Sequence, residues 1–200
     1  MRGPASSNWY IAANWLSRHL WEHYQYTRDR EFLAAAYPVM RGAAVFTLDW
    51  LQRDAQDHWV TMPSTSPEKV YSYQQGNQTL HGNVTVVSTL DVGIVKDLFT
   101  SVMSARAVVG TDQAFREQLA STVAELFPLQ GGSQGQLQEW YRDFEDVDAH
   151  HRHTSHLYAL YPGHEISPLN TPALAAAAKR TLELRGDDGT GWSLAWKVNM

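Results

Sequence analysis

Cysteine is absent from the 200 residues, which removes disulfides, thiolate nucleophiles and cysteine-ligated zinc from the chemistry open to the chain. Compartment does not follow from this, since exported proteins also lack cysteine. No window approaches the roughly 18 consecutive apolar residues of a membrane-crossing helix, and no charged-then-apolar leader precedes Trp9. Neither a transmembrane helix nor a signal peptide is therefore expected. Runs of lysine or arginine are missing too. With 16 basic side chains against 21 acidic ones the net charge is −5, and the electrostatic footprint of a nucleic-acid binder does not appear. Charge is scarce at 18%, against 44% hydrophobic residues, the balance of a folded globular chain rather than a disordered one. What is plentiful is aromatic: 8 Trp and 9 Tyr. Such rings suit either a sugar-stacking cleft or an ordinary helical core.

Helical periodicity accounts for most of the chain. Over residues 9–26, Ile11, Trp15, Leu20, Trp21 and Tyr24 recur at mixed three, four and five spacing, the pattern of a helix buried on more than one side. Asp29 is placed to cap a second helix over residues 32–51, with Pro38 as a kink or restart inside it. The short connection predicts antiparallel packing. A third helix is expected over 84–109, and a fourth, capped by Thr111-Asp112, up to about Phe127. Short helices follow at 155–161 and 172–184, and a last one from Trp192 still runs at Met200. That final feature suggests a fragment. Two long connections, 54–83 and 128–154, break the pattern; connections beyond about 12–15 residues are usually functional when they are not disordered. The expected class is all-α, a single domain of helix pairs with functional loops.

Each long connection carries candidate chemistry. Pro63 and Pro67 fix their own φ and push the preceding residues towards extended geometry, so no helix or central strand runs through Pro63-Ser64-Thr65-Ser66-Pro67-Glu68. Glu68 is thus a carboxylate at the end of a stiff loop, which fits a general acid and equally an exposed glutamate after a surface turn. Glu139, beside Trp140, is the competing acid; the alternative is a buried glutamate bonded to loop backbone or Arg142. Asp91 stands among apolar residues of the third helix, where it needs a partner, and it either contacts substrate or ties down a neighbouring loop. His151, His153 and His156 match no established zinc spacing and read as donors to sugar hydroxyls or to loop carbonyls, with no metal and no cofactor. Trp15 shares a helix face with His19, which makes it a candidate for substrate stacking or for core. Trp192, Trp196 and Lys197 read as packing, Lys197 being the one that could do otherwise.

Five motifs in series carry a resemblance: His19-Leu20-Trp21-Glu22-His23-Tyr24, Ser64-Thr65-Ser66-Pro67-Glu68, Gln136-Leu137-Gln138-Glu139-Trp140, His151-Arg152-His153-Thr154-Ser155-His156-Leu157-Tyr158 and Gly189-Thr190-Gly191-Trp192-Ser193-Leu194-Ala195-Trp196-Lys197. Together they resemble the catalytic domain of glycoside hydrolase family 95, the inverting α-1,2-L-fucosidases. The resemblance implies an (α/α)6 barrel, of which the chain would hold only part. Glu68 matches the family's acid, with its pKa raised by apolar or aromatic neighbours. The base would be an aspartate downstream of Met200, helped by asparagines upstream of Met1. The implied partner is an oligosaccharide or glycan, and family members commonly act outside the bacterial cytoplasm. Three alternatives accompany it: an α-L-galactosidase of the same family, a catalytically inactive sugar-binding remnant, and a helical interaction module. The last lacks the fixed repeat period of a solenoid.

Overall fold

The computed structural model describes residues 9–110 and 112–200. They form two compact units, one made of Tyr10–Val60 with Ile94–Phe127, the other of Thr61–Gly93 with Pro128–Met200.

In the first of these, α1 (Ala12–Thr27) and α2 (Arg30–Trp50) pack together, joined by Arg28 and Asp29 alone. Arg28 closes α1 in the left-handed conformation, φ 58°, its N–H bonded to the Tyr24 carbonyl. Asp29 then caps α2 as expected, Oδ1 accepting from the Phe32 N–H at 2.9 Å. Pro38 lies inside α2 without ending it. A proline removes one backbone donor from a helix, but the buried stripe Leu33, Tyr37, Met40, Ala44 and Thr47 runs past it on both sides, and that packed face holds the helix through the gap. At Leu51 the backbone turns extended and begins β1 (Leu51–Arg53), which pairs with β2 (Trp59–Thr61). The helix α4 (Gln113–Ala124) starts after Asp112, whose carboxylate accepts from Arg41 Nε at 2.6 Å and makes no cap bond. Thr111, the other half of the expected cap, lies outside the described residues.

The residues of α3 (Thr89–Val109) belong to the second unit through Gly93 and to the first from Ile94. The helix begins five residues later than its apolar pattern suggests. The backbone of Thr85 is engaged with Ser64, each N–H donating to the other's carbonyl at 2.9 Å, and Ser88 bridges to Trp140, so both are taken up by loops before the helix can start.

The second unit corrects the all-α expectation: the chain is helix-rich, with small sheets. Residues 71–82, expected to be irregular, form an antiparallel hairpin of β3 (Tyr71–Gln75) and β4 (Gln78–Gly82), and β5 (Glu145–Asp146) adds to the other side of β3. Gly76, at φ 61°, supplies the positive dihedral that a two-residue hairpin turn needs. Tyr71 stacks on Phe144, centroids 4.4 Å apart, and meets Trp140 edge-on at 4.9 Å. In the same unit, α5 (Pro172–Arg185) packs Ala177 and Ala178 against Leu137, Leu157, Ala159 and Ile166. A 3-10 helix, Ser155–Ala159, and α6 (Gly191–Asn199) complete the unit.

Candidate functional site

The loop 63–68 is held inside the second unit by its own small polar side chains. Ser64, Thr65 and Ser66 are buried, and so is Lys69 just beyond them. Ser64 Oγ donates to Asp91 Oδ2 at 2.6 Å, Ser66 Oγ to Glu139 Oε1 at 2.6 Å, and the Pro67 carbonyl accepts from Ser155 Oγ at 2.9 Å. Glu68 stands between the Ser66 and Lys69 anchors, and its side chain is 37% exposed.

Beneath the loop lies a buried charge cluster. Glu139, 6% exposed, receives the Ser66 hydroxyl on one oxygen and Arg185 Nη2, at 2.9 Å, on the other. Lys69 Nζ stands 2.8 Å from Asp146 and 3.7 Å from Glu139, and donates to the Asp148 carbonyl at 3.2 Å. Arg185 Nη1 reaches Asp146 at 2.7 Å. Two cations thus face two carboxylates. The buried His156 places Nδ1 3.4 Å from Glu139 without a hydrogen bond; its pKa is driven well below the ordinary value by burial and then by Arg185 and Lys69, so the imidazole is neutral. A cavity of about 260 Å³ borders this cluster, lined by Glu139, Asp146, His156 and Arg185 among others.

On the open side, Glu68 is ion-paired with Arg152, and His153 Nε2 lies 3.9 Å from its carboxylate. Its neighbours are cationic and imidazole groups rather than the apolar surface that the sequence suggested. His151 and His153 stack, 5.4 Å between ring centroids. The His153 N–H donates to His151 Nδ1 at 3.1 Å, and Arg152 Nη1 lies 3.5 Å from the Nε2 of the same ring. Burial, then Lys69, His153 and Arg152, lower the His151 pKa to about 4. The His153 pKa is lowered too, first by burial. Trp192, at the start of α6, is 45% exposed and packs its ring 5.0 Å from that of His153. Among the described residues, no three His, Asp or Glu side chains converge as metal donors.

Asp91, 1% exposed, accepts from Ser64 and from Thr61 Oγ1 at 2.9 Å, while its second oxygen has no partner. Burial raises its pKa to about 6 against the lowering effect of those hydroxyls. The second unit therefore brings together Glu68, Glu139, Asp91, His151, His153 and His156. Trp15 belongs to the other unit, half-buried on α1. The partner of Glu139 is Arg185, more than forty residues on, rather than the nearby Arg142. Lys69, Asp146, Arg185 and Arg152 were not singled out from sequence. Only the adjacency of Lys69 to Glu68, and of Arg152 to the histidines, offered a signal.

A family model described as glycosyl hydrolase family 95 catalytic domain matches residues 1–200. An Arabidopsis thaliana protein named alpha-L-fucosidase 2 is 40% identical over 192 residues, 95% of this chain and 22% of its own length. An Aspergillus niger protein named probable alpha-fucosidase A is 31% identical over 208 residues, 94% of this chain and 24% of its own length. The chain thus spans about a quarter of the length of these curated relatives.

Proposed function

Because the chain belongs to glycosyl hydrolase family 95 along its full 200 residues, we infer that it carries the acid half of an inverting α-L-fucosidase, acting on α-1,2-linked terminal fucose of oligosaccharides or glycans. The single observation behind this reading is the geometry of Glu68: a half-exposed carboxylate whose flanking residues Ser66 and Lys69 are buried and bonded. An acid held still while its carboxylate stays accessible is what proton donation to a leaving oxygen requires. The fold we propose is part of an (α/α)6 barrel, with these 200 residues a portion of one catalytic domain.

In this mechanism Glu68 protonates the glycosidic oxygen while a base on the opposite face of the sugar activates water, the two groups roughly 6.5–9.5 Å apart. Following the family resemblance, we assign the base to an aspartate outside residues 1–200. A protonated Glu68 loses the charge that attracts Arg152, so protonation frees the guanidinium to donate to sugar hydroxyls. His151 and His153 offer further polar contacts beside Glu68, and the face of Trp192 is available for stacking.

The test is Glu68→Gln in the enzyme that contains this chain. The fold and substrate binding should persist while kcat on an α-1,2-fucoside falls roughly 10²–10⁴-fold, the usual contribution of general acid catalysis. An aryl fucoside with a good leaving group should suffer much less. Full activity in Glu68→Gln, with Glu139→Gln inactive, would move the acid to Glu139.

A further inference from the structure

We propose that Glu139 is a positioning residue, which acts with Ser66, Lys69 and Arg185 to fix where the Glu68 carboxylate points; this rests on the reading of Glu68 as the acid. Glu68 is bracketed in sequence by two buried attachments. Two residues before it, Ser66 donates to Glu139, and one residue after it, Lys69 is buried against Asp146 and Glu139. Both attachments converge on the same cluster, which Arg185 ties to the C-terminal end of α5 through Glu139 and Asp146. The loop is therefore pinned to a helix packed in the unit's hydrophobic core.

The charge count explains why such a cluster is tolerated. Lys69 and Arg185 balance Glu139 and Asp146, and the neutral His156 adds no charge. Burying Lys69, Glu139 and Arg185, with Asp146 partly exposed beside them, is a poor route to stability, because desolvation offsets most of the attraction, and fixing a register is the better-attested use of such pairs. Here the register in question is that of residues 66–69. Glu139 is turned away from the role of acid by the same contacts: one oxygen is occupied by a hydroxyl and the other by a guanidinium. By contrast, Glu68 leaves the cluster and reaches Arg152 and His153.

A group that acts only through Glu68 should have no effect once Glu68 can no longer donate a proton. The experiment is a double-mutant cycle in the enzyme containing this chain, with Ser66→Ala and Glu139→Gln each made alone and combined with Glu68→Gln. Rates are measured on an α-1,2-fucoside and on an aryl fucoside. Glu139→Gln should lower kcat on the natural linkage by roughly 10–10²-fold, the scale of a small misplacement of a catalytic group, with KM little changed. Ser66→Ala should do the same to a smaller extent. Both losses should shrink on the aryl substrate and vanish in the Glu68→Gln background. An undiminished loss in that background, or an equal loss on both substrates, overturns the proposal while leaving Glu68 as the acid. Full activity of Glu68→Gln alone sinks both readings. Should Glu139→Gln fail to fold, Ser66→Ala decides by itself, since it removes one hydrogen bond and leaves the buried charges paired.

Discussion

Two buried groups of the same unit titrate in opposite senses, and together they conceal each other. Asp91 has a folded pKa of about 6, raised above the ordinary value of 3.8 chiefly by burial. A raised pKa means that the folded state binds the proton more tightly. Its stabilisation is complete below the unfolded value, near pH 4, and is lost as pH rises through about 6. His151, lowered to about 4, works the other way: its contribution is present above its unfolded value near 6.5 and is lost as pH falls through about 4. Each shift corresponds to about 3 kcal/mol. The wild-type unfolding free energy should therefore change little between pH 4 and 6.5 on account of these two. Asp91→Asn, whose amide oxygen can still accept from Ser64 and Thr61, should remove one arm of the balance and leave stability rising with pH across that window. Denaturant unfolding of both proteins at several pH values measures this, and parallel profiles would count against the assignment.

At the level of elements, the hairpin 71–82 shows how a short sheet can hold two loops together. Tyr71 is buried by Phe144 and Trp140, and its hydroxyl donates to the Val84 carbonyl at 2.6 Å. Opposite it in the ladder stands Gly82, where an added Cβ would lie 2.6 Å from the Tyr71 ring. The ring cannot move without giving up both the stack and the hydrogen bond. Gly82→Ala should accordingly destabilise the unit by about 1–3 kcal/mol, as overpacking does, and unstacking of Tyr71 should appear in near-ultraviolet circular dichroism; an unchanged spectrum and midpoint would show that the ring has room. This hairpin was partly legible in the sequence, since Gly76-Asn77 lies between runs containing Tyr71, Tyr73 and Leu80 and is a recognised turn signal. Its many glutamines hid it. The long helices were legible because burial on one face imposes a period that survives even Pro38. So was the loop at 63–68, because proline constrains backbone locally. The partners Arg185 and Asp146 were not legible: pairing across 39 residues or more leaves no local pattern, and a lone arginine at a helix end reads as solvated.

For the whole molecule, the relevant quantity is the share of the enzyme that these residues represent. Matching relatives are about four times longer, and under the proposed barrel the helices here are flanked by others of the same domain. Each unit carries apolar surface consistent with that. On one, Leu16, Val39 and Phe46, at 64%, 61% and 46% exposure, border a groove of about 520 Å³ on the faces of α1 and α2. On the other, Leu169 and Val198 are almost fully exposed. Residues 1–200 expressed alone should therefore self-associate, since large exposed apolar patches drive association, and sedimentation at increasing concentration will detect it. Catalysis should fail for a separate reason. Protonation by Glu68 assists departure of the leaving group, but inversion also requires activated water on the other face of the sugar, and the proposed base lies outside these residues. No release of fucose above the solution rate is expected from the isolated 200 residues, with activity restored when they are expressed within the longer enzyme. Release of free fucose by the purified piece, abolished by Glu68→Gln, would mean that the site is complete within this chain and that its base must be sought among residues 1–200.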